Sequence, residues 1–326
     1  MAHFMIHRFF EGCLVIALAF AISMPSSAFA DGDEQANSSA PNYRRHIGCF
    51  AVAAALAYGS WVIWDAWGDG VFDPSSSDQL KTHLEKNSLE IEHPLQVVFY
   101  GQWHDVKGLE NQPKDVVSVG LSQWNLIQRI LEAKKNGPIQ VFAEGHSADL
   151  TKEQRTRILE QLPKNLKMDA KELGNFVMTF PKADQGAAKN LYLAHMAFPE
   201  GLPKQAPPQG WTNIQLGLLV RGGHRLLWAL GEIDSIRAAE DAKQNAKAGE
   251  WLDKKEKGQV KWPGERREFR RAVYTDRELE ALTRMVRYRN ANPNDPSTFF
   301  LIYGGAHPFE AYQMPALDIR RIREDD

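Results

Sequence analysis

Two short elements, Gly101-Gln102-Trp103-His104 and Gly304-Gly305-Ala306-His307, share the pattern Gly-x-x-His, and each directly follows an apolar, β-prone run. Glycine lets a backbone turn sharply as it leaves a sheet, so the histidine three residues on could project over the sheet edge. A third candidate, Glu144, closes the apolar run 139–143. Two imidazoles and a carboxylate make a set that holds a divalent transition metal (manganese, cobalt, zinc or iron) and leaves coordination positions open. An open position is what metal-assisted hydrolysis requires, because metal-bound water becomes a nucleophile near neutral pH. His104, Glu144 and His307 are therefore the expected metal ligands, and Glu144 could instead serve as the general base. One Gly-x-x-His alone is a weak signal, since a lone histidine is more often structural. Three polar groups at three strand ends weigh more.

These groups must be positioned by the elements around them. Residues 95–100 form a β-prone run ended by Gly101, and 139–143 and 298–303 are two further strand candidates. Between the first two, residues 119–136 carry Leu121, Trp124, Ile127 and Leu131 at helical spacing and stop at Gly137-Pro138. Strand, helix, strand in that order implies a right-handed parallel crossover, and such sheets place their chemistry beyond the carboxyl ends of the strands. The expected fold is α/β, with a central, mainly parallel sheet flanked by helices and a helical insertion in the middle of the chain. That middle, 163–234, is cut by Pro181, Pro199, Pro203 and Pro207-Pro208, and 214–233 reads as one apolar helix. Residues 238–258 read as a solvated helix. Thr151 with Gln154, and Thr275 with Glu278, have the spacing of capping boxes.

The pattern resembles the TIKI/TraB, erythromycin-esterase and ChaN superfamily, over about residues 92–325. The resemblance rests on a strand with Gly-x-x-His, a glutamate after the next strand, an arginine, and a second strand with Gly-x-x-His. Here those positions are His104, Glu144, Arg277 and His307. The resemblance implies a metal-dependent hydrolase acting on a peptide or ester bond, with Glu144 and Arg277 catalytic. Arg277, thirty residues before His307, could clamp an anionic substrate group or stabilise an oxyanion; the plainer alternative pairs it with Asp276 or Glu280. Esterase and ChaN-like members carry glutamate where this chain has Gln102, and glutamine cannot act as a base, which favours the metal-dependent TIKI/TraB reading. The ChaN-like relatives imply an alternative, a haem- or iron-binding uptake protein without turnover, in which Tyr100, Tyr303 or His104 could be an axial ligand.

Other candidates carry less. His146 could be an extra ligand or could hold the Glu144 carboxylate, though an exposed loop histidine is the simpler expectation. Asp105 could orient His104 or start a turn. His195 and His224 read as structural. Gly222-Gly223 marks a helix break or close packing, since no phosphate-binding loop motif occurs. A Gly-x-Ser-x-Gly elbow is also absent from the sequence, which discounts serine catalysis.

The 326 residues are 43% hydrophobic and 25% charged, which excludes a disordered or collagen-like chain, and the net charge of −2 gives no basis for nucleic-acid binding. Cys13 and Cys49 cannot make a disulfide framework. A weakly basic start, an apolar run 13–24 and Ala28-Phe29-Ala30 read as a signal peptide over 1–30, so an extracytoplasmic location, periplasmic or secreted, is expected. Residues 31–91 read as a linker containing an uncharged apolar stretch, 47–64, near the minimum length for a bilayer. It is either a membrane anchor or an alanine-rich helix packed on the domain. Residues 92–326 read as a single domain, whose partner is a peptide or small-molecule substrate.

Overall fold

The computed structural model describes residues 74–102, 113–146, 148–164, 166–261 and 264–322. The signal-peptide and 47–64 expectations, His104 and Asp105 lie outside the described residues. Among the described residues, no helix is long and apolar enough to cross a membrane.

Five parallel strands make one sheet. They are β1 (Leu95–Gln102), β2 (Ile139–Ala143), β3 (Arg237–Ala238), β4 (Thr298–Gly304) and β5 (Leu317–Ile322), in the spatial order β3-β2-β4-β1-β5. The expected α/β architecture with a parallel sheet is present. One difference follows from strand order. β1 and β2 are joined by a crossover through α2 (Pro113–Asn136), yet they do not pair, because β4 lies between them and hydrogen-bonds to both. Ile302 of β4 is therefore in register with Tyr100 on one side and Ala143 on the other.

Alternation along these strands feeds two cores, one on each face, as a parallel sheet covered on both sides requires. Tyr100, Val141, Ala143, Phe300 and Ile302 point into one. This core is closed by α2 and by helices between β2 and β3. Those helices are α3 (Lys152–Leu159), α4 (Ala170–Met178), α5 (Lys182–Ala197), α6 (Asn213–Val220) and α7 (Gly223–Ala229). Val97, Phe99, Phe142, Leu301 and Tyr303 point into the other core, beneath α1 (Ser76–Lys86) and α10 (Asp276–Ala291).

The apolar stretch 214–233 is two helices, because Gly222, at φ 137°, breaks it in a conformation that side chains disfavour. Gly223 then packs so closely that an added Cβ would stand 2.7 Å from the Gln123 carbonyl oxygen. The expected solvated helix begins at Ala242, as α8 (Ala242–Glu256). Thr151 caps α3 by accepting from the Gln154 N–H, but the Gln154 side chain donates to Asp184 and leaves the box half-formed.

The chain divides into two compact units. The larger, 75–251 with 272–326, holds the sheet. In the smaller, the described residues include 252–261 and 264–271, with the end of α8 and α9 (Gly264–Arg270); there Lys255 Nζ lies 5.3 Å over the Phe269 ring.

Candidate functional site

The carboxyl ends of β2, β3 and β4 bring together residues distant in sequence. Beyond Ala143 the backbone turns through Gly145 at φ 75°, a left-handed conformation that suits glycine. Glu144 stands just before that turn. Its Oε2 accepts from the Gly304 N–H at 2.7 Å and its Oε1 from Arg277 Nη2. β4 thus fixes the carboxylate that follows β2.

Arg277 is held more tightly by a residue that the sequence motifs do not single out. Glu240, two residues beyond β3, accepts from Arg277 Nε at 2.6 Å and from Nη2 at 2.8 Å, and also from the Gly145 N–H at 3.0 Å. It is fully buried. The remaining Arg277 nitrogen, Nη1, donates to the Val273 carbonyl. Burial opposes the guanidinium charge, but the Glu240 hydrogen bonds and the nearby Glu144 carboxylate outweigh it and raise the pKa above its ordinary value. Asp276 and Glu280, the alternative partners, form ion pairs with Lys247 and Arg284. Two carboxylates thus converge on one buried arginine.

His307 sits 4% exposed among Tyr274, Tyr303 and Phe309. Its Nδ1 is 2.8 Å from Glu278 Oε1, while Tyr312 donates to Glu278 Oε2 at 2.6 Å. Burial, with the Glu278 carboxylate beside it, raises the Tyr312 pKa and keeps the phenol a donor. Glu278 does not close the capping box expected with Thr275. The turn 271–275 is a π-helix leading into α10, so Thr275 is itself helical and makes no side-chain cap. Freed from capping, the carboxylate faces His307.

At the second motif the chain turns as expected on leaving β4, the His307 N–H donating to the Gly304 carbonyl across 305–306, whereas the residues that follow Gln102 in the first motif lie outside the described residues. Gly101 and Gly304 both lie within strands. A Cβ on Gly101 would stand 3.1 Å from both the Gly305 Cα and Arg321 Nη2, so glycine leaves room for the close approach of β1 to the second motif. Arg321 donates to the Gly305 carbonyl and to Glu310. Gln102 is buried and accepts from Gln123 Nε2 at 2.8 Å.

His146 is buried, not an exposed loop residue. Its Nε2 lies 3.4 Å from His224 Nε2 and 3.1 Å from Arg225 Nε. Burial and the Arg225 charge push its pKa down to about 3. Tyr100 donates to the Ser122 carbonyl, and the Tyr303 hydroxyl faces Glu240 at 3.4 Å, so both phenols point at protein partners in the core.

Among the described residues, no three His, Cys, Asp or Glu side chains converge as metal ligands. The two candidate ligands that are described, Glu144 and His307, are each held by an outer partner. Compared with known proteins, the chain matches no family model, no curated protein and no solved structure.

Sequence reading missed Glu240 and Arg225, and it gave Glu278 a capping role in place of its contacts with His307 and Tyr312. For Glu240 a signal existed: Ile236 to Glu240 is an apolar run broken by Arg237 and ended by an acid, a weaker echo of 139–144.

Proposed function

We propose that the carboxyl edge of the sheet is the active site of an exported, metal-dependent hydrolase acting on a peptide or ester bond. The observation that carries this reading is the hydrogen bond between His307 Nδ1 and Glu278. A buried imidazole anchored at Nδ1 by a carboxylate has its tautomer and ring direction set, with Nε2 as the ligating atom, the arrangement found around metal-bound histidines. Glu144 fits the same pattern, since ligating carboxylates are themselves hydrogen-bonded, here by Arg277 and the Gly304 N–H. His104, His307 and Glu144 would hold the ion.

The metal would supply a nucleophilic water near neutral pH and polarise the carbonyl under attack. The protein's own residues do the positioning. Glu278 orients His307, and Tyr312 orients Glu278. Arg277, whose guanidinium already serves Glu240, Glu144 and Val273, acts through Glu144 by fixing the direction of its carboxylate. Export rests on the 1–30 signal-peptide pattern.

Elemental analysis of the full chain, wild type beside His307→Ala and His104→Ala, tests the reading. About one equivalent of manganese, cobalt, zinc or iron is expected in the wild type and loss of it in both variants. Metal retained in the variants, or none in any of the three after reconstitution, overturns the proposal; a Soret band on haem titration would then point to the haem-binding alternative.

A further inference from the structure

A second feature lies on the helical side of the larger unit. Residues of helices α5, α6 and α7, with the turn between the last two, line a half-open pocket of about 250 Å³. Leu218, Leu226 and Ala229 form apolar wall, and Asn190, Arg221 and Arg225 bring polar groups to it. The two arginines flank the break at Gly222 and are four residues apart.

Arg225 is unusual in its partners. Its Nε donates to His146 Nε2 at 3.1 Å and its Nη2 to the Gly145 carbonyl at 3.4 Å. Both acceptors are neutral, and they engage two of the five N–H groups a guanidinium offers. Among the described residues no carboxylate pairs with Arg225 or Arg221. Arg277, by contrast, is matched by two carboxylates. Burial without a counterion lowers the Arg225 pKa, and placing a cation against apolar wall is costly unless an anion joins it.

We propose that this pocket binds a small amphiphilic anion, a carboxylate or phosphate head on a short aliphatic tail. The head lies against Arg225 and Arg221, where a planar fork gives two-pronged hydrogen bonds; the Asn190 amide offers a further polar contact. The tail lies along Leu218, Leu226 and Ala229. The volume is below the roughly 300–1,000 Å³ of pockets for drug-sized ligands, so the tail is short. This site uses none of the groups assigned to the metal and stands whether or not the metal reading does.

Isothermal titration of the full chain with hexanoate, hexyl phosphate and inorganic phosphate tests it. Saturable binding of hexanoate or hexyl phosphate with one-to-one stoichiometry is expected, and which of them binds identifies the head group. Arg225→Met should weaken it by about tenfold or more, as loss of a charge-assisted anchor does. Arg221 is exposed, so Arg221→Glu gives a second variant with the same expected loss should Arg225→Met fail to fold. The proposal is overturned if neither amphiphile binds at millimolar concentration, or if a folded variant binds as tightly as wild type. It is equally overturned if phosphate alone binds as tightly as hexyl phosphate, since the apolar wall would then contribute nothing.

Discussion

Arg277 meets Glu240 through two nitrogens, Nε at 2.6 Å and Nη2 at 2.8 Å, with the carboxylate fully buried and the arginine 6% exposed. Removing one side of such a pair strands a charge in the interior, which costs about 3–5 kcal/mol. Arg277→Met strands Glu240 and releases Glu144 and should lose stability in that range. Glu240→Gln keeps the shape and leaves Arg277 paired with Glu144, so it should lose less. Urea unfolding of the two variants in parallel measures the order; a Glu240→Gln loss equal to or larger than that of Arg277→Met contradicts the network described.

The Glu278 carboxylate receives His307 on one oxygen and Tyr312 on the other. An amide has a single acceptor oxygen, so Glu278→Gln cannot serve both. If His307 is a ligand, metal affinity should fall about 10–100-fold, the usual effect of losing an outer partner. Competition against a chelator reads this directly, and unchanged affinity would separate Glu278 from the metal.

Two helical glycines should respond oppositely to alanine. Gly223→Ala places a Cβ 2.7 Å from the Gln123 oxygen and 2.9 Å from Ile127 Cγ1, and overpacking of this kind costs roughly 1–3 kcal/mol. Gly217, inside α6, has nothing within 4 Å of the same position. There the gain in helix propensity, about 0.5–1 kcal/mol, should stand alone. Melting temperatures should fall for the first variant and rise for the second; movement in the same direction would refute the packing argument.

His195 supplies an acid-sensitive element. Burial lowers its pKa, a hydrogen bond to the Ala229 backbone offsets part of that, and Arg155 lowers it further. Its Nε2 is buried with no hydrogen-bond partner. The unfolded chain takes up the proton near the ordinary value of about 6.5, and the folded chain does so only at lower pH. The stability from keeping His195 neutral is therefore complete above that value and is lost as pH falls through the lower folded pKa. His195→Gln should flatten the decline in unfolding free energy below about pH 6.5 relative to wild type. Parallel slopes in the two proteins would exclude the effect.

The local signals in the sequence determined which segments become the main strands. A run buried on both faces must be apolar throughout, and its end is marked by glycine or by an acid, so β1, β2 and β4 and the positions of Glu144 and His307 were legible. β3 and β5 were not. β3 has two residues, and β5 alternates Leu317 and Ile319 with Asp318 and Arg320 because it is an edge strand with one face less covered.

Tertiary structure alone decided the strand order, and with it the site. The insertion of β4 between β1 and β2 brings the Gly304 N–H to Glu144, and the pairing of β3 with β2 brings Glu240 to Arg277. The same limit applies to Glu278, whose spacing from Thr275 predicts a cap until the π-helical turn removes the capping position, and to His146, a loop residue buried by α7. Spacing along a chain specifies contacts within a few residues, where the backbone fixes the distance. A carboxylate that finds its partner 37 or 133 positions away does so only after the sheet has chosen its neighbours.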